Sequence, residues 1–141
     1  MANRVTPRIT ANAVFCDDIR QELSGKFILI GVYGDELHMN AGPGVIPLSV
    51  WLQVYGIGAG THSAKVIARK HVGKQSIEVA AVDVEISVMK ANHGLAISLP
   101  ALPIHVDSDC TFSVSVGIDG SELVRAGEIA IKAVFADAPA S

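Results

Sequence analysis

Apolar and polar residues alternate along most of this chain, and this period of two constrains the fold more than any other feature of the sequence. In the segment 110–118, Phe112, Val114 and Val116 alternate with serine and threonine residues. Successive side chains of a β-strand point to opposite faces, so the pattern predicts a strand with one buried and one exposed face. Similar segments recur at a spacing of roughly ten residues with few helical signals between them, and they predict an all-β domain.

The predicted strands are numerous enough to form two sheets packed around one apolar layer. We expect an antiparallel, immunoglobulin-like β-sandwich of seven or eight strands, with a partly closed barrel or a jelly roll as the alternatives. The predicted strand segments are 11–22, 26–33, 50–55, 61–70, 77–89, 95–99, 110–118 and 128–135.

Two segments carry signals about their place in a sheet. Lys26–Tyr33 is apolar at both odd and even positions, which predicts a central strand covered on both faces. The turn residues Ser24-Gly25 predict a hairpin between this strand and segment 11–22, and a short helix that begins at Asp18 is the alternative. Lys65 and Arg69, which lie within the alternation of segment 61–70, predict a strand near a sheet edge.

The apolar positions change phase within segment 77–89. They lie at odd numbers near Ile77 and at even numbers from Val82 onward. A slip of one residue exchanges the two faces of a strand, so we expect a β-bulge or a break near Ala80-Ala81.

Turn and proline signals separate the later strands. Asp119-Gly120 predicts a type I′ hairpin turn, because both central residues of that turn need a positive φ. Pro100 and Pro103 are expected to end the strand 95–99, since proline has no amide proton for a sheet ladder.

The composition fits one folded domain and excludes several kinds of partner. The chain has 141 residues, of which 50% are apolar and 18% charged, and its net charge is −3 at pH 7. Nucleic-acid binding needs a basic surface, and a membrane-spanning helix needs about 20 apolar residues in a row. We therefore predict neither a nucleic-acid partner nor a membrane partner. The N-terminal segment lacks the apolar stretch of a signal peptide, so the expected location is the cytoplasm.

The distribution of residue types suggests the domain limits and an association surface. We divide the chain into a flexible N-terminal arm at 1–9, a β-sandwich domain at 10–135 and a disordered tail at 136–141. The chain is rich in Ala, Val, Ile and Gly and poor in Lys and Glu. A small monomer usually carries more surface charge, so this composition predicts a homo-oligomer or a complex with a protein partner.

Two stretches resemble known proteins. The stretch FCDDIRQELSGKFILIGVYGD at 15–35, followed by a proline-bounded strand and a Gly-Thr-His segment, resembles an uncharacterised family of small bacterial β-sandwich proteins. The stretch DCTFSVSVGIDGSELVRAGEIAIK at 109–132 is similar to the last hairpin of many immunoglobulin-like modules. These resemblances imply a β-sandwich and a bacterial or phage setting. They imply no activity and no functional residue.

The two cysteines, Cys16 and Cys110, do not fit an immunoglobulin-like disulfide. The single tryptophan, Trp51, lies 35 residues after Cys16, and Cys110 lies 94 residues after Cys16, and both gaps are too long for that pattern. We expect both thiols to be reduced and buried as small apolar side chains.

The acidic pair Asp17 and Asp18 is the most unusual polar feature of a predicted strand. Adjacent strand residues point to opposite faces, so one carboxylate would point inward unless the pair lies at a wet edge or strand end, which is the favoured interpretation. Arg20 is the predicted same-face partner of Asp18. The other acidic residues are dispersed along the chain and do not predict a calcium site.

The histidines and aromatic residues are weaker candidates. No two of the 5 histidines have the short spacing of a metal site, and we expect His62 in a loop or at the rim of a sheet. Trp51, Tyr55 and Tyr33 are candidates for an apolar cleft that binds a sugar or small ligand, although aromatics on sheets more often pack in a core. The glycine-rich run 56–60 is not followed by a helical pattern, so it does not predict a phosphate site.

These patterns predict no catalytic residue, no metal and no cofactor. We expect a non-enzymatic bacterial module that acts by self-assembly or by binding a protein partner. One alternative is a phage or prophage virion component, such as a decoration or tail-associated protein, and another is a pocket that binds or hydrolyses a small molecule. The candidate interaction or polar-site residues are Asp17, Asp18, Arg20, Trp51, Tyr55 and His62.

Overall fold

A computed structural model describes residues 9–39, 43–90 and 94–133 of the chain. Residues 1–8 of the predicted arm and all of the predicted tail lie outside the described residues. The described strands are β1 (Thr10–Gln21), β2 (Phe27–Val32), β3 (Glu36–Met39), β4 (Gly44–Tyr55), β5 (Gly60–Val72), β6 (Gln75–Val88), β7 (Leu95–Val106), β8 (Cys110–Ile118) and β9 (Val124–Ala133). No helix within the described ranges has the length and apolar character to cross a membrane.

The strands form two sheets. Sheet A has the order β2-β1-β4-β7 and sheet B has the order β3-β9-β8-β5-β6. This arrangement confirms the predicted all-β sandwich, whereas the immunoglobulin-like character stays a prediction. The additional short strand β3 pairs in parallel with β9, so the described residues form nine strands and one parallel pair. Four residues are too few to show the alternation by which the other strands were predicted.

The core lies between the two sheets and is built from their inward-facing rows. Phe15 of β1 and Phe112 of β8 meet edge to face across the sandwich, with ring centroids 5.9 Å apart. Apolar residues of β4, β5, β7, β8 and β9 contribute most of the rest of this layer, and β3 and β6 add Leu37, Ile86 and Val88. The largest fully buried side chains are Phe112, Leu48, Leu52, Ile104, Ile129, Ile131, Val50, Val54, Val66, Val106, Val114 and Val116.

Both predicted hairpin turns are present. Gly25 lies between β1 and β2 with φ 93°, and its amide donates a 2.9 Å hydrogen bond to Glu22 O. Asp119 and Gly120 have φ values of 51° and 74°, so both central residues of the second turn adopt the predicted positive φ. The two turns fix the antiparallel pairs β1–β2 and β8–β9.

The predicted bulge is also present, at a neighbouring residue. Ala68 of β5 pairs with Ala80 and Arg69 pairs with Glu78, which leaves Val79 as the additional residue on β6. The extra residue changes which face the following side chains occupy, in agreement with the change of phase in the sequence. The bulge leaves β6 as one continuous strand of 14 residues.

One prediction of strand position is wrong. The segment predicted as a central strand is β2, which lies at an edge of sheet A, and Ile28, Ile30 and Val32 are exposed there. The segment predicted near an edge is β5, which lies second from the edge of sheet B and pairs with the edge strand β6 on one side and β8 on the other. Pairing depends on contacts between distant parts of the chain, so the composition of one strand does not determine its place.

The predicted end of the strand at 95–99 is wrong as well. β7 continues through Pro100 and Pro103 to Val106. β7 is the edge strand next to β4, and a proline at a sheet edge removes no hydrogen bond when its nitrogen faces away from the partner. The irregularity between Leu48 and Val50 of β4 and the positive φ of Ala101 accommodate the prolines within the pairing.

Candidate functional site

The outer side of strand β2 exposes a row of large apolar side chains. Ile28, Ile30 and Val32 expose 44%, 45% and 58% of their surface. Alternate residues of a strand share a face, so the three form one continuous apolar row. Within the described residues, β1 is the only strand paired with β2, and the other edge of β2 has no strand beside it.

The other edge strands carry features that discourage pairing with a further strand. β7 contains Pro100 and Pro103, and β6 carries charged residues that include Glu78 and Asp83. β3 has four residues and begins with Glu36. Short length, proline and charge are the usual protections of a sheet edge. β2 has neither a proline nor a charged residue, so it is the least protected of the edges that the described strands form.

Asp18 and Arg20 flank the apolar row. Asp18 pairs with Ile30 and Arg20 pairs with Ile28 in the β1–β2 register. The Arg20 Nε donates to Asp18 Oδ2 at 3.0 Å, so the predicted same-face partnership is present and its two members are solvent-accessible. Asp17, Asp18 and Arg20 are the charged residues on the described strands of sheet A. The same sheet also contains the titratable His105, on β7.

Asp17 is exposed to solvent and also contacts residues at the end of β2. It accepts a hydrogen bond from the Tyr33 hydroxyl, and this bond together with burial raises the pKa of Tyr33 to about 12. A side chain at Gly31, where φ is 68°, would place its Cβ only 2.8 Å from the Asp17 Cγ. Asp17 therefore helps to position the end of β2 and occupies the space beside Gly31.

The three aromatic rings of the predicted cleft have different neighbours. The Trp51 ring lies 6.1 Å from the Phe27 ring, at the start of β2. The Trp51 Nε1 is buried and has no hydrogen-bond partner among the described residues. Tyr55 is exposed and its ring lies against Gly94, whereas Tyr33 hydrogen-bonds Asp17. The structure thus places Trp51 beside the β1–β2 hairpin and separates Tyr55 from it.

His62 lies at the start of β5 and joins two loops. Its Nδ1 is 2.6 Å from Asp119 Oδ2 and its Nε2 is 2.7 Å from Gly58 O. The other Asp119 oxygen accepts a 2.9 Å hydrogen bond from Ser63 N. Only an imidazolium can donate to both acceptors at once. These hydrogen bonds, that to Asp119 foremost, raise the pKa of His62, and the same contact lowers the pKa of Asp119.

This contact makes stability depend on pH. A raised pKa in the folded state means that His62 stabilises the fold fully below its ordinary value of 6.5, and that the contribution disappears as the pH rises through the folded pKa. The lowered pKa of Asp119 sets the acid limit, because its contribution is lost as the pH falls below its ordinary 3.8. We expect wild type to lose more free energy of unfolding than His62→Gln between about pH 5.5 and pH 8.5.

The measurement is urea denaturation at the two pH values. Asp119→Asn is the matched variant, because asparagine tolerates the positive φ of the turn and removes only the charge. It should reduce the pH dependence as His62→Gln does. A full pH dependence in Asp119→Asn would contradict the assignment of that dependence to this pair.

Both cysteines are buried and free, as predicted. Burial is the largest cause that raises the pKa of each thiol, and for Cys16 the neighbouring Asp17 acts in the same direction. A raised pKa lowers the thiolate fraction and hence the reactivity, so neither thiol has the properties of a nucleophile.

The described residues contain no group of three or more His, Cys, Asp or Glu side chains that could hold a metal ion. A surface depression of about 170 Å³ lies at the end of β6 and is lined by Ser87, Val88, Met89, Lys90, Gly94 and Leu95. Pockets for small ligands usually have about 300 to 1,000 Å³ and converging polar groups. Among the described lining residues, Ser87 and Lys90 provide the polar side chains, so the described lining has neither the size nor the chemistry of such a pocket.

The residues that define the candidate site are the apolar residues of β2, which the sequence pattern predicts to be buried. The sequence does indicate one neighbour of β2, because the tight hairpin turn pairs this strand with β1. Whether a second strand lies beside β2 depends on long-range pairing. The candidates Asp17, Asp18, Arg20 and Trp51 lie beside this strand, whereas His62 lies in a separate cluster.

No protein-family model matches the chain, and no curated protein is similar enough to count as a relative. The resemblance of segment 15–35 to a bacterial family therefore stays a prediction.

Proposed function

We propose that this protein is a non-enzymatic β-sandwich module that acts by self-assembly or by binding a protein partner, with β2 as the contact strand. The observation that carries the proposal is the exposed apolar row of Ile28, Ile30 and Val32 on an edge that lacks charge and proline. An exposed strand edge binds another strand through main-chain hydrogen bonds, and the row of side chains adds apolar contact area.

The asymmetry of the two sheets supports the same proposal. The strands of sheet B carry acidic and basic residues, as in the cross-strand pairs Lys65–Asp83 and Arg69–Glu78. The charges of sheet A are concentrated on β1, and β2 and β4 have none. A protein that has a charged sheet and a sheet with exposed apolar side chains commonly buries the apolar surface by association with another chain.

The setting is also part of the proposal. The two free thiols fit a reducing bacterial cytoplasm, because secreted domains of this size commonly form disulfides. A virion component is the second candidate, and it predicts large regular assemblies rather than a small closed oligomer.

Replacing Ile30 with lysine should weaken self-association. The charged ammonium would lie in the apolar row and oppose burial of the edge, while Asp18 across the strand pair would still accommodate it in the monomer. Light scattering across the micromolar range measures the effect. We expect the apparent dissociation constant to rise at least about tenfold, the equivalent of roughly 1.4 kcal/mol.

Ile77→Glu is the matched control. Ile77 is also 45% exposed on an edge strand, β6, and the new glutamate would face Lys70 across the strand pair. This variant should associate as the wild type does. A wild-type chain that stays monomeric over the whole range would contradict self-assembly, and equal loss in both variants would contradict the choice of β2.

A further inference from the structure

We infer that the partner of β2 is β2 of a second copy of this chain, paired antiparallel with Ile30 on the two-fold axis. This inference rests on the proposed function and names the partner and register of the same edge. The pairing would join two copies of sheet A into one continuous sheet.

The edges of that continuous sheet explain why the partner is a second copy. In an isologous pair the same strand is used twice, so both unprotected edges are consumed in one contact. The two outer strands of the joined sheet are then copies of β7, whose Pro100 and Pro103 limit further pairing. The assembly is therefore closed at the dimer, whereas a partner strand from another protein would need its own edge protection.

The spacing of the apolar residues selects the register. With Ile30 on the axis, Ile28 of each copy lies opposite Val32 of the other, and the three exposed residues of both copies are matched. With Ile28 on the axis, Ile30 would face the charged Lys26, and with Val32 on the axis Ile28 would face Glu36. Only the register centred on Ile30 pairs the whole row without placing a charge against it.

The charges near β2 also permit two identical strands to meet. β2 has no charged residue, and Asp18 and Arg20 on β1 neutralise each other at 3.0 Å. The β1 strands of the two copies would be three strand spacings apart, about 14 Å. That distance exceeds the Debye length of about 8 Å at physiological ionic strength, so like charges of the two copies repel each other weakly.

Cysteine cross-linking tests the register directly. In this register the Cα atoms of residue 30 in the two copies lie about 4.5 to 5.5 Å apart, within disulfide reach. The Cα atoms of residue 28 are separated by four residues along the strands, about 13 Å, and are out of reach. Under mild oxidation of the full chain, Ile30→Cys should form a covalent dimer at least about tenfold faster than Ile28→Cys.

Three further samples complete the design. A mixture of the single variants Ile28→Cys and Val32→Cys should form a mixed covalent dimer, since the two residues face each other in this register. Ile77→Cys on β6 provides the rate for an equally exposed but unpaired position, and the wild type gives the background of the buried Cys16 and Cys110.

The possible results separate this inference from the proposed function. A dimer by light scattering in which Ile30→Cys cross-links no faster than Ile28→Cys or Ile77→Cys would overturn the register and leave the proposed function standing. A wild-type chain that is monomeric throughout would overturn self-assembly itself. Fast cross-linking of Ile30→Cys together with the mixed dimer supports the inference.

Discussion

Phe112→Ala is expected to lower the free energy of unfolding by about 3 to 5 kcal/mol. Phe112 is fully buried on β8, and its ring meets Phe15 of β1 at a centroid distance of 5.9 Å. The substitution removes the largest fully buried side chain and leaves a cavity between the two sheets. The loss of the edge-to-face contact adds to the cost of the cavity, by about 0.5 to 1.5 kcal/mol for such a pair.

Chemical denaturation of the purified variant measures this change. Leu23→Ala is the control, because Leu23 is fully exposed in the β1–β2 turn and should change stability by less than about 0.5 kcal/mol. The double variant of Phe15 and Phe112 tests the contact itself, and its total cost should differ from the sum of the single costs. A cost below about 1 kcal/mol for Phe112→Ala would contradict the position of this ring in the core.

Gly31→Ala should destabilise the fold by about 2 to 4 kcal/mol. The positive φ of 68° costs a residue with a Cβ roughly 1 to 2 kcal/mol. The new Cβ would also displace Asp17, whose carboxylate accepts the hydrogen bond from Tyr33. Losing a hydrogen bond to a charged group costs about 1.5 to 3 kcal/mol, and the solvent exposure of Asp17 places this case at the low end.

Gly25→Ala separates the two causes. Gly25 has φ 93°, but a Cβ there would meet no atom within 4 Å, so its substitution carries the backbone cost alone. We expect Gly31→Ala to be the more damaging of the two. In the double variant with Asp17→Ala the contacts with the carboxyl group are absent and the Cβ of residue 17 remains 3.1 Å away, so the added cost of Gly31→Ala should fall toward that of Gly25→Ala. Equal costs for the two glycines in the wild-type background would contradict the role of Asp17.

Features that depend on one or two residues were predicted from the sequence. The turns at Ser24-Gly25 and Asp119-Gly120 follow from the φ values that these residue types tolerate. The bulge beside Ala80 follows from a change in alternation, because each side chain records the face on which it lies. The residue pair Asp18 and Arg20 was placed on one face by the same rule.

The prolines show where local reasoning is insufficient. Pro100 and Pro103 predict the end of a strand if both neighbours of that strand are assumed to be present. β7 has only β4 as a described partner, so it continues through both residues. The contact between His62 and Asp119 was equally inaccessible, because 57 residues separate them and the pairing of β5 with β8 brings them together.

The sequence by itself determined that this protein is built of strands with one buried face, where several of them turn, and that its thiols are buried. The tertiary structure alone decided which strands lie at the edges. The apolar residues of β2 are compatible with burial by a neighbouring strand or with exposure at an edge. The alternation of side chains shows which face of the strand each residue occupies, but it does not show which strands lie beside it. The order β2-β1-β4-β7 resolves this choice and exposes Ile30 as the centre of the proposed contact.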